Sequence, residues 1–264
     1  MLVVHGVPGS WRQCFTLGQD LASTNTVVAP SRPGYGRTPL RVGRTYEEQA
    51  DAYALLLDAL AIDRVVVVGA SGGGPSSISF AERHPARTAG LILACALAPH
   101  IIDVPAPLKL LAIPLVGEVM TALDRAIGRR RLDDPRTVER KVATDFTPDE
   151  QRRIHADPAI REALITFART HLDAPPGLGG VRNDLVQVRR AKAAGERSYA
   201  VSAPTLVLHG DADEVCPMSH ADHHAGAIAG AALEVYEEAG HIFFCTRRAE
   251  ASARIREFAA ECFR

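Results

Sequence analysis

Short apolar runs alternate with helical patterns in the first hundred residues and again after residue 200. Continuous apolar runs are typical of parallel strands that are covered on both faces. Six runs are predicted to be strands: Leu2–Val4, Thr26–Ala29, Val65–Val68, Leu91–Cys95, Thr205–Leu208 and Leu233–Tyr236. Strands that alternate with helices form right-handed βαβ units. The pattern therefore predicts an α/β fold with a doubly wound, mostly parallel sheet.

One helix is predicted before the third strand and one after it. The first begins at a capping box formed by Thr45 and Glu48, and apolar positions such as Tyr53 and Leu57 then recur on one face. The second helix follows the third strand and ends before Pro85, because the residue before a proline disfavours helical geometry.

The alternation stops between about residues 101 and 200. This stretch is helical in pattern and interrupted by prolines, and the segment 159–171 is amphipathic. We expect residues 101–200 to form an inserted helical cap, with residues 1–100 and 201–264 forming the core. An apolar cap face over the carboxyl ends of the strands would create a substrate pocket.

Composition and charge narrow the classes of partner. A net charge of −1, with 47% hydrophobic and 23% charged residues, is ordinary for a globular protein and gives no electrostatic case for nucleic acid or an anionic membrane. No secretory signal is visible, and no apolar run approaches the roughly 20 residues of a membrane span. The five cysteines include no C-x-x-C pair, which favours free thiols. We expect a cytoplasmic protein.

The third strand leads directly into Gly69-Ala70-Ser71-Gly72-Gly73. A buried strand, a serine between small residues and a following helix are the pattern of a nucleophile elbow, which lifts one serine hydroxyl above the sheet. Glycine two places before and after the serine removes the Cβ atoms that would clash with nearby backbone. Ser71 is therefore a candidate nucleophile.

A serine hydroxyl needs a base, and the base needs an acid that orients it. His241 follows the last predicted strand, and an acidic turn with Asp211 and Asp213 follows the fifth strand. The loop after the first strand can present the amide of Val7 towards the same strand ends. Together with the amide of Gly72 it would form an oxyanion hole.

These segments together resemble the α/β-hydrolase fold family, in particular its capped members of the esterase and lactonase kind. The resemblance implies that the acid lies three residues after a strand-end glycine and four before a proline. Asp213 fits that place and is preferred to Asp211, and Asp103 is the less favoured alternative. Five segments carry the resemblance: His5–Gly9, Pro30–Gly36, Gly69–Gly73, Gly210–Pro217 and Gly240–His241.

The sequence departs from the family at its start. Family members usually have two further strands before the one that begins here at Leu2. We therefore expect the N-terminal strands to be missing and Thr26–Ala29 to lie at an open edge of the sheet. Because open edges invite pairing, a homo-oligomer is expected.

The expected function is that of a serine hydrolase that cleaves a small ester or lactone through an acyl-enzyme, with Ser71, His241 and Asp213 as the catalytic triad. A serine at the elbow disfavours the family branches that use an aspartate nucleophile. A carbon–carbon bond hydrolase with the same triad and a non-catalytic ligand receptor remain alternatives. The partner is a small acyl substrate.

No cofactor is expected, and no metal. His220, His223 and His224 could suggest a metal site, but Asp222 is the only carboxylate beside them in sequence. A surface helix is the preferred interpretation of these histidines.

Overall fold

A computed structural model describes residues 1–18, 20–173 and 177–264. Within them, five strands form one parallel sheet in the order β1-β2-β3-β4-β5. The strands are β1 (Leu2–Val4), β2 (Val65–Ala70), β3 (Thr88–Ala94), β4 (Thr205–Gly210) and β5 (Ala232–Tyr236). The α/β fold with a parallel sheet predicted from the apolar runs is confirmed.

The predicted strand Thr26–Ala29 is wrong, because this segment makes only an isolated parallel bridge between Val28 and Leu2. The amide of Val3 donates to the carbonyl of Val28, and the amide of Val28 donates to the carbonyl of Met1. A longer ladder cannot form here, since β1 has three residues and Pro30 lacks an amide hydrogen.

Twelve α-helices connect or cover the strands in the described part of the chain. The capping box predicted for Thr45 and Glu48 begins the second helix, as expected. The helices are α1 (Trp11–Gly18), α2 (Tyr46–Ala59), α3 (Gly74–Arg83), α4 (Ala106–Leu111), α5 (Val116–Asp133), α6 (Pro135–Asp145), α7 (Pro148–Ala156), α8 (Pro158–Asp173), α9 (Leu178–Ala194), α10 (Ser219–Ala227), α11 (Phe243–Thr246) and α12 (Arg248–Cys262).

Strands β1 to β4 are buried on both faces, which explains why they are largely apolar, whereas β5 at the edge of the sheet is partly exposed. On one face, Val67 and Leu91 pack with Tyr53 of α2 and Ile78 of α3. On the other face, the strands pack with side chains from α1, α11 and α12, such as Cys14, Phe243 and Ile255.

The chain changes direction across the sheet between β1 and β2. After β1 it runs outward to the bridge at Val28, and α2 then returns it to β2 on the other side of β1. In open α/β sheets, ligands bind at such a switch point, outside the carboxyl ends of the strands. The loops after β1 and β2 meet at this point.

Helices α4 to α9 lie between β3 and β4, with no strand among the described residues of this stretch. Part of this helical segment has a small core of its own, in which Val138 and Val142 of α6 pack with Ile154 of α7. Helix α8 joins the segment to the sheet, because Phe167 makes an edge-to-face contact with Phe244 of α11.

A buried polar cluster fastens α9 to the core. The guanidinium of Arg32, in the loop after residue 28, donates two hydrogen bonds to the Asp184 carboxylate, at 2.6 and 3.1 Å. The Tyr35 hydroxyl donates to the same carboxylate at 2.6 Å. Burial raises the pKa of Tyr35 well above its usual value, so this hydroxyl keeps its proton. The arrangement leaves each charge with a partner, as burial of charge requires.

Replacing Asp184 with alanine should lower the free energy of unfolding by about 3–5 kcal/mol, because Arg32 would then be a buried charge without a partner. Urea denaturation measures this change. Asp133→Ala is the matched control, since Asp133 pairs with Arg169 at the surface and an exposed pair contributes at most about 1 kcal/mol. Equal losses in the two variants would contradict the assignment.

Candidate active site

Ser71 follows the last residue of β2 and has a backbone φ of +48°. A non-glycine residue in this left-handed region is strained, and it persists only where its surroundings hold it. The chain around it is packed against the end of β1: a methyl group on Gly73 would collide with the carbonyl oxygens of Val4 and His5. Ser71 therefore lies in a strained turn between β2 and α3 that is packed against the end of β1.

The structure brings Ser71, His241 and Asp213 together from three separate loops. Ser71 Oγ lies 3.0 Å from His241 Nε2, and His241 Nδ1 lies 2.7 Å from Asp213 Oδ2. A carboxylate can only accept, so the proton on Nδ1 is donated to Asp213 and Nε2 is left to accept the hydroxyl proton of Ser71. The three side chains form one continuous hydrogen-bonded chain.

The carboxylate of Asp213 is buried and held from its own turn. Its Oδ1 accepts hydrogen bonds from the amides of Val215 and Cys216, both at 2.8 Å. His209 lies on the other side, with Nε2 3.5 Å from Asp213 Oδ2 and 2.7 Å from the Cys216 carbonyl oxygen. Burial lowers the pKa of His209, so this imidazole is neutral and structural.

Neither alternative acid reaches His241. Asp211 is exposed, and its amide donates to the Tyr236 carbonyl in the turn. The Asp103 side chain is fully exposed and lies 3.9 Å from Lys109 Nζ. Of the three candidate acids, Asp213 is the one that contacts His241.

Val7 and Gly72, the two residues whose amides are expected to form an oxyanion hole, pack against each other. The backbone nitrogen of Val7 is 3.4 Å from the position of a Cβ on Gly72. Gly72 lies in the first turn after the strand, where amides have no intrahelical partner. Gly6 also lies close to Ser71, because a methyl group on Gly6 would lie 3.3 Å from Ser71 Oγ.

Two cavities meet at His241. A cavity of about 130 Å³ contains Ser71 and the Val7 loop, and a larger one of about 650 Å³ lies among α6, α7 and α8. Three residues line both cavities: Phe167, His241 and Ile242. The larger cavity is walled mainly by apolar side chains, including Leu132, Val138, Val142, Phe146, Leu164 and Ile165.

The cysteines near Asp213 and His241 in the sequence are buried thiols. Cys216 and Cys245 are buried, and burial raises the pKa of both thiols. A thiol with a raised pKa is a poor nucleophile at neutral pH.

The interpretation of the three late histidines as a surface helix is wrong. His220 and His224 of α10 are buried, because the helix packs against the sheet, and His220 Nδ1 accepts the Ala98 amide proton at 2.9 Å. Burial lowers the pKa of His220 to about 4 and that of His224 to about 3. In the described part of the chain, no group of three or more His, Cys, Asp or Glu side chains is arranged to hold a metal ion.

Comparison with known proteins gives the class of this one. The α/β hydrolase fold family matches residues 1–247, and the chain belongs to this family of enzymes. It is similar to an α/β hydrolase fold protein from Nakamurella multipartita, with a TM-score of 0.76 and 29% identity over 99% of this chain and 91% of the other.

Two further matches carry more specific names. A thermophilic esterase from Thermogutta terrifontis has a TM-score of 0.69 and 25% identity, covering 99% of this chain and 89% of its own. A 2-hydroxy-6-oxo-2,4-heptadienoate hydrolase of Pseudomonas putida is 26% identical over 91% of this chain and 82% of its own.

In the described residues, no helix is both long and apolar enough to span a membrane.

Sequence reasoning missed two residues that bind the loop carrying His241. Thr147 and Glu150, at the start of α7, form a second capping box, and both contact the loop that carries His241. Their T-x-x-E spacing is visible in the sequence and predicts a helix start. Nothing local indicates which loop that helix start would touch.

The buried His220 should make stability depend on pH. Its pKa is lowered from 6.5 to about 4 in the folded protein, so the unfolded chain binds the proton more tightly. Its contribution is fully present above about pH 6.5 and is lost as the pH falls towards 4. Urea denaturation between pH 7.5 and 4.5 should show the free energy of unfolding falling less steeply in His220→Asn, which retains an acceptor for Ala98. An unchanged slope would contradict this.

Proposed function

We propose that this chain is a serine hydrolase that cleaves an ester through an acyl-enzyme. The observation that carries the proposal is the hydrogen-bonded chain from Ser71 Oγ through His241 to Asp213, with Ser71 held at a positive φ. A nucleophile, a base within 3.0 Å and an acid that orients the base are the parts that acyl transfer requires.

In the proposed reaction, Ser71 Oγ attacks the ester carbonyl while His241 Nε2 takes the hydroxyl proton. The amides of Val7 and Gly72 stabilise the oxyanion, and Asp213 stabilises the imidazolium. His241 then gives the proton to the departing alcohol as the carbonyl re-forms. A water molecule attacks the acyl-enzyme in the same way, which releases the acid and restores Ser71.

The helical segment supports the choice of substrate. We propose that residues 101–200 act as a cap on a core of residues 1–100 and 201–264, with the larger cavity receiving an apolar part of the ester. Among the residues whose side chains the structure describes, two cations line this cavity, and both are paired: Lys141 with Asp145 and Arg161 with Glu139. The larger cavity therefore suits an uncharged acyl chain of the ester better than an anionic group.

The similarity to the heptadienoate hydrolase favours a second candidate, cleavage of a carbon–carbon bond next to a ketone. The same three side chains would serve that reaction. The dienoate carboxylate would need a cation, and the two cations described in the larger cavity, Lys141 and Arg161, are paired with acids, which is why the ester is preferred.

Turnover of p-nitrophenyl acetate tests the nucleophile. Ser71→Ala should lower kcat by more than about 1,000-fold, because only binding and the oxyanion site remain. Ser23→Ala, at an exposed serine, is the matched control and should hydrolyse the ester as the wild type does. Equal rates in wild type and Ser71→Ala would exclude the proposal.

The same assay separates the alternatives. Hydrolysis of an oxo-dienoate without any ester turnover would assign the second candidate. Binding of small acyl ligands with no turnover of esters, lactones or diketones would indicate a receptor.

The larger cavity should set the preference for chain length. Ile165→Trp would fill part of it, so kcat/KM for p-nitrophenyl octanoate should fall about tenfold relative to the acetate, a loss typical of a crowded apolar pocket. Val119→Trp, on the exposed face of α5, should leave this ratio unchanged. If the octanoate-to-acetate ratio of kcat/KM stays constant in Ile165→Trp, the acyl chain of the ester does not bind in the larger cavity.

A further inference from the structure

The loop between β5 and α11 carries His241, and residues at the start of α7 bind this loop through hydrogen bonds. Thr147 Oγ1 donates a hydrogen bond of 2.6 Å to the carbonyl of Glu238. Glu238 has a φ of +51°, which is strained for a residue with a side chain. The loop therefore has one strained residue three positions before the base, and a helix of the segment between β3 and β4 fixes its carbonyl.

Glu150 binds the residue immediately before His241. It is 1% exposed, although carboxylates are rarely this buried without partners. Its Oε1 accepts from the amide of Gly240 at 3.1 Å and from the hydroxyl of Thr246 at 2.8 Å. Its Oε2 accepts from the amide of Thr147 at 3.2 Å. One carboxylate thus binds the residue before His241, the helix that follows it and the start of α7.

A second set of contacts joins the same two elements. Arg247 Nη2 donates to Asp149 Oδ2 at 2.7 Å and to the carbonyl of Glu237 at 2.8 Å. Because Asp149 and Glu150 are adjacent on α7, this side of the loop is also fixed from that helix. The His241 loop is bound to α7 on both sides of the base.

We propose that Glu150 is a positioning residue that holds the backbone of the His241 loop and so keeps the imidazole aligned between Ser71 and Asp213. The inference rests on the proposed serine hydrolase function. Glu150 touches no reacting atom and acts through Gly240. Helix α7 thereby determines the geometry of the base as well as walling the larger cavity.

The chain contains a matched control for this contact. Thr45 and Glu48 form the same capping box at the start of α2, where Glu48 accepts the amides of Arg44 and Thr45 in an exposed position. Replacing Glu48 removes a helix cap and no contact with the His241 loop. Comparing Glu150→Ala with Glu48→Ala separates loss of capping from loss of positioning.

Glu150→Ala should lower kcat for p-nitrophenyl acetate by about 10- to 100-fold, because a displacement of about 1 Å at a reacting group costs up to 100-fold. KM should change less than about threefold. The rate of Ser71 labelling by a fluorophosphonate should fall with kcat. Glu150→Gln, whose carbonyl oxygen can still accept from Gly240, should restore part of both rates, and Glu48→Ala should match the wild type in both.

If Glu150→Ala fails to fold, Thr147→Ala can replace it, with Thr45→Ala as its control. Thr147 is the partly exposed N-cap residue of α7, and Thr45 is the N-cap residue of α2. Thr147→Ala alone should slow labelling, since it releases Glu238. A folded Glu150→Ala or Thr147→Ala that labels at the wild-type rate overturns the inference, as does a change in KM alone, which would indicate a substrate contact. A wild type that turns over no ester and takes no label defeats the proposed function instead.

Discussion

The close packing of the β2–α3 turn against the end of β1 is the constraint on which the rest of the site depends. Gly73 lies directly against the carbonyl oxygens of Val4 and His5, and this contact allows Ser71 to stay at a positive φ. A strained serine is stable only because the two parallel strands and the helix behind them are rigid. The Val7 amide, the proposed oxyanion donor, belongs to the loop after β1, so the same packing contact places this amide near the Ser71 hydroxyl.

Two buried carboxylates join the helical segment to this core. Asp184 of α9 binds Arg32 in the loop beside β1, and Glu150 of α7 binds the loop that carries His241. A buried carboxylate is costly to leave without its hydrogen-bond or ionic partners, so both contacts favour one arrangement over others. The helical segment is therefore fixed against loops on two sides of the candidate site, and the larger cavity lies next to one of these anchors.

Several structural features could be read from the sequence because they depend on neighbours in the chain. The β-branched run before Gly69 and the capping box at Thr45 each form from local preferences. The segment Thr26–Ala29 has a strand composition but no strand, because pairing depends on β1 and Pro30 rather than on its own residues. The burial of His220 was likewise unpredictable, since its spacing on α10 does not reveal that the helix packs against the sheet.

The sequence by itself determined the parallel α/β sheet, the elbow at Ser71 and the chain order of the serine, acid and histidine segments. Periodicity, caps and glycine spacing are local properties, and they determine local structure. The choice of Asp213 over Asp211 and Asp103 rested on the resemblance alone, and the tertiary structure shows the contact between Asp213 and His241. Only the tertiary structure decided that α7 contacts the same loop. Those contacts join residues far apart in sequence, and they arise because parallel strands bring distant loops to one edge of the sheet.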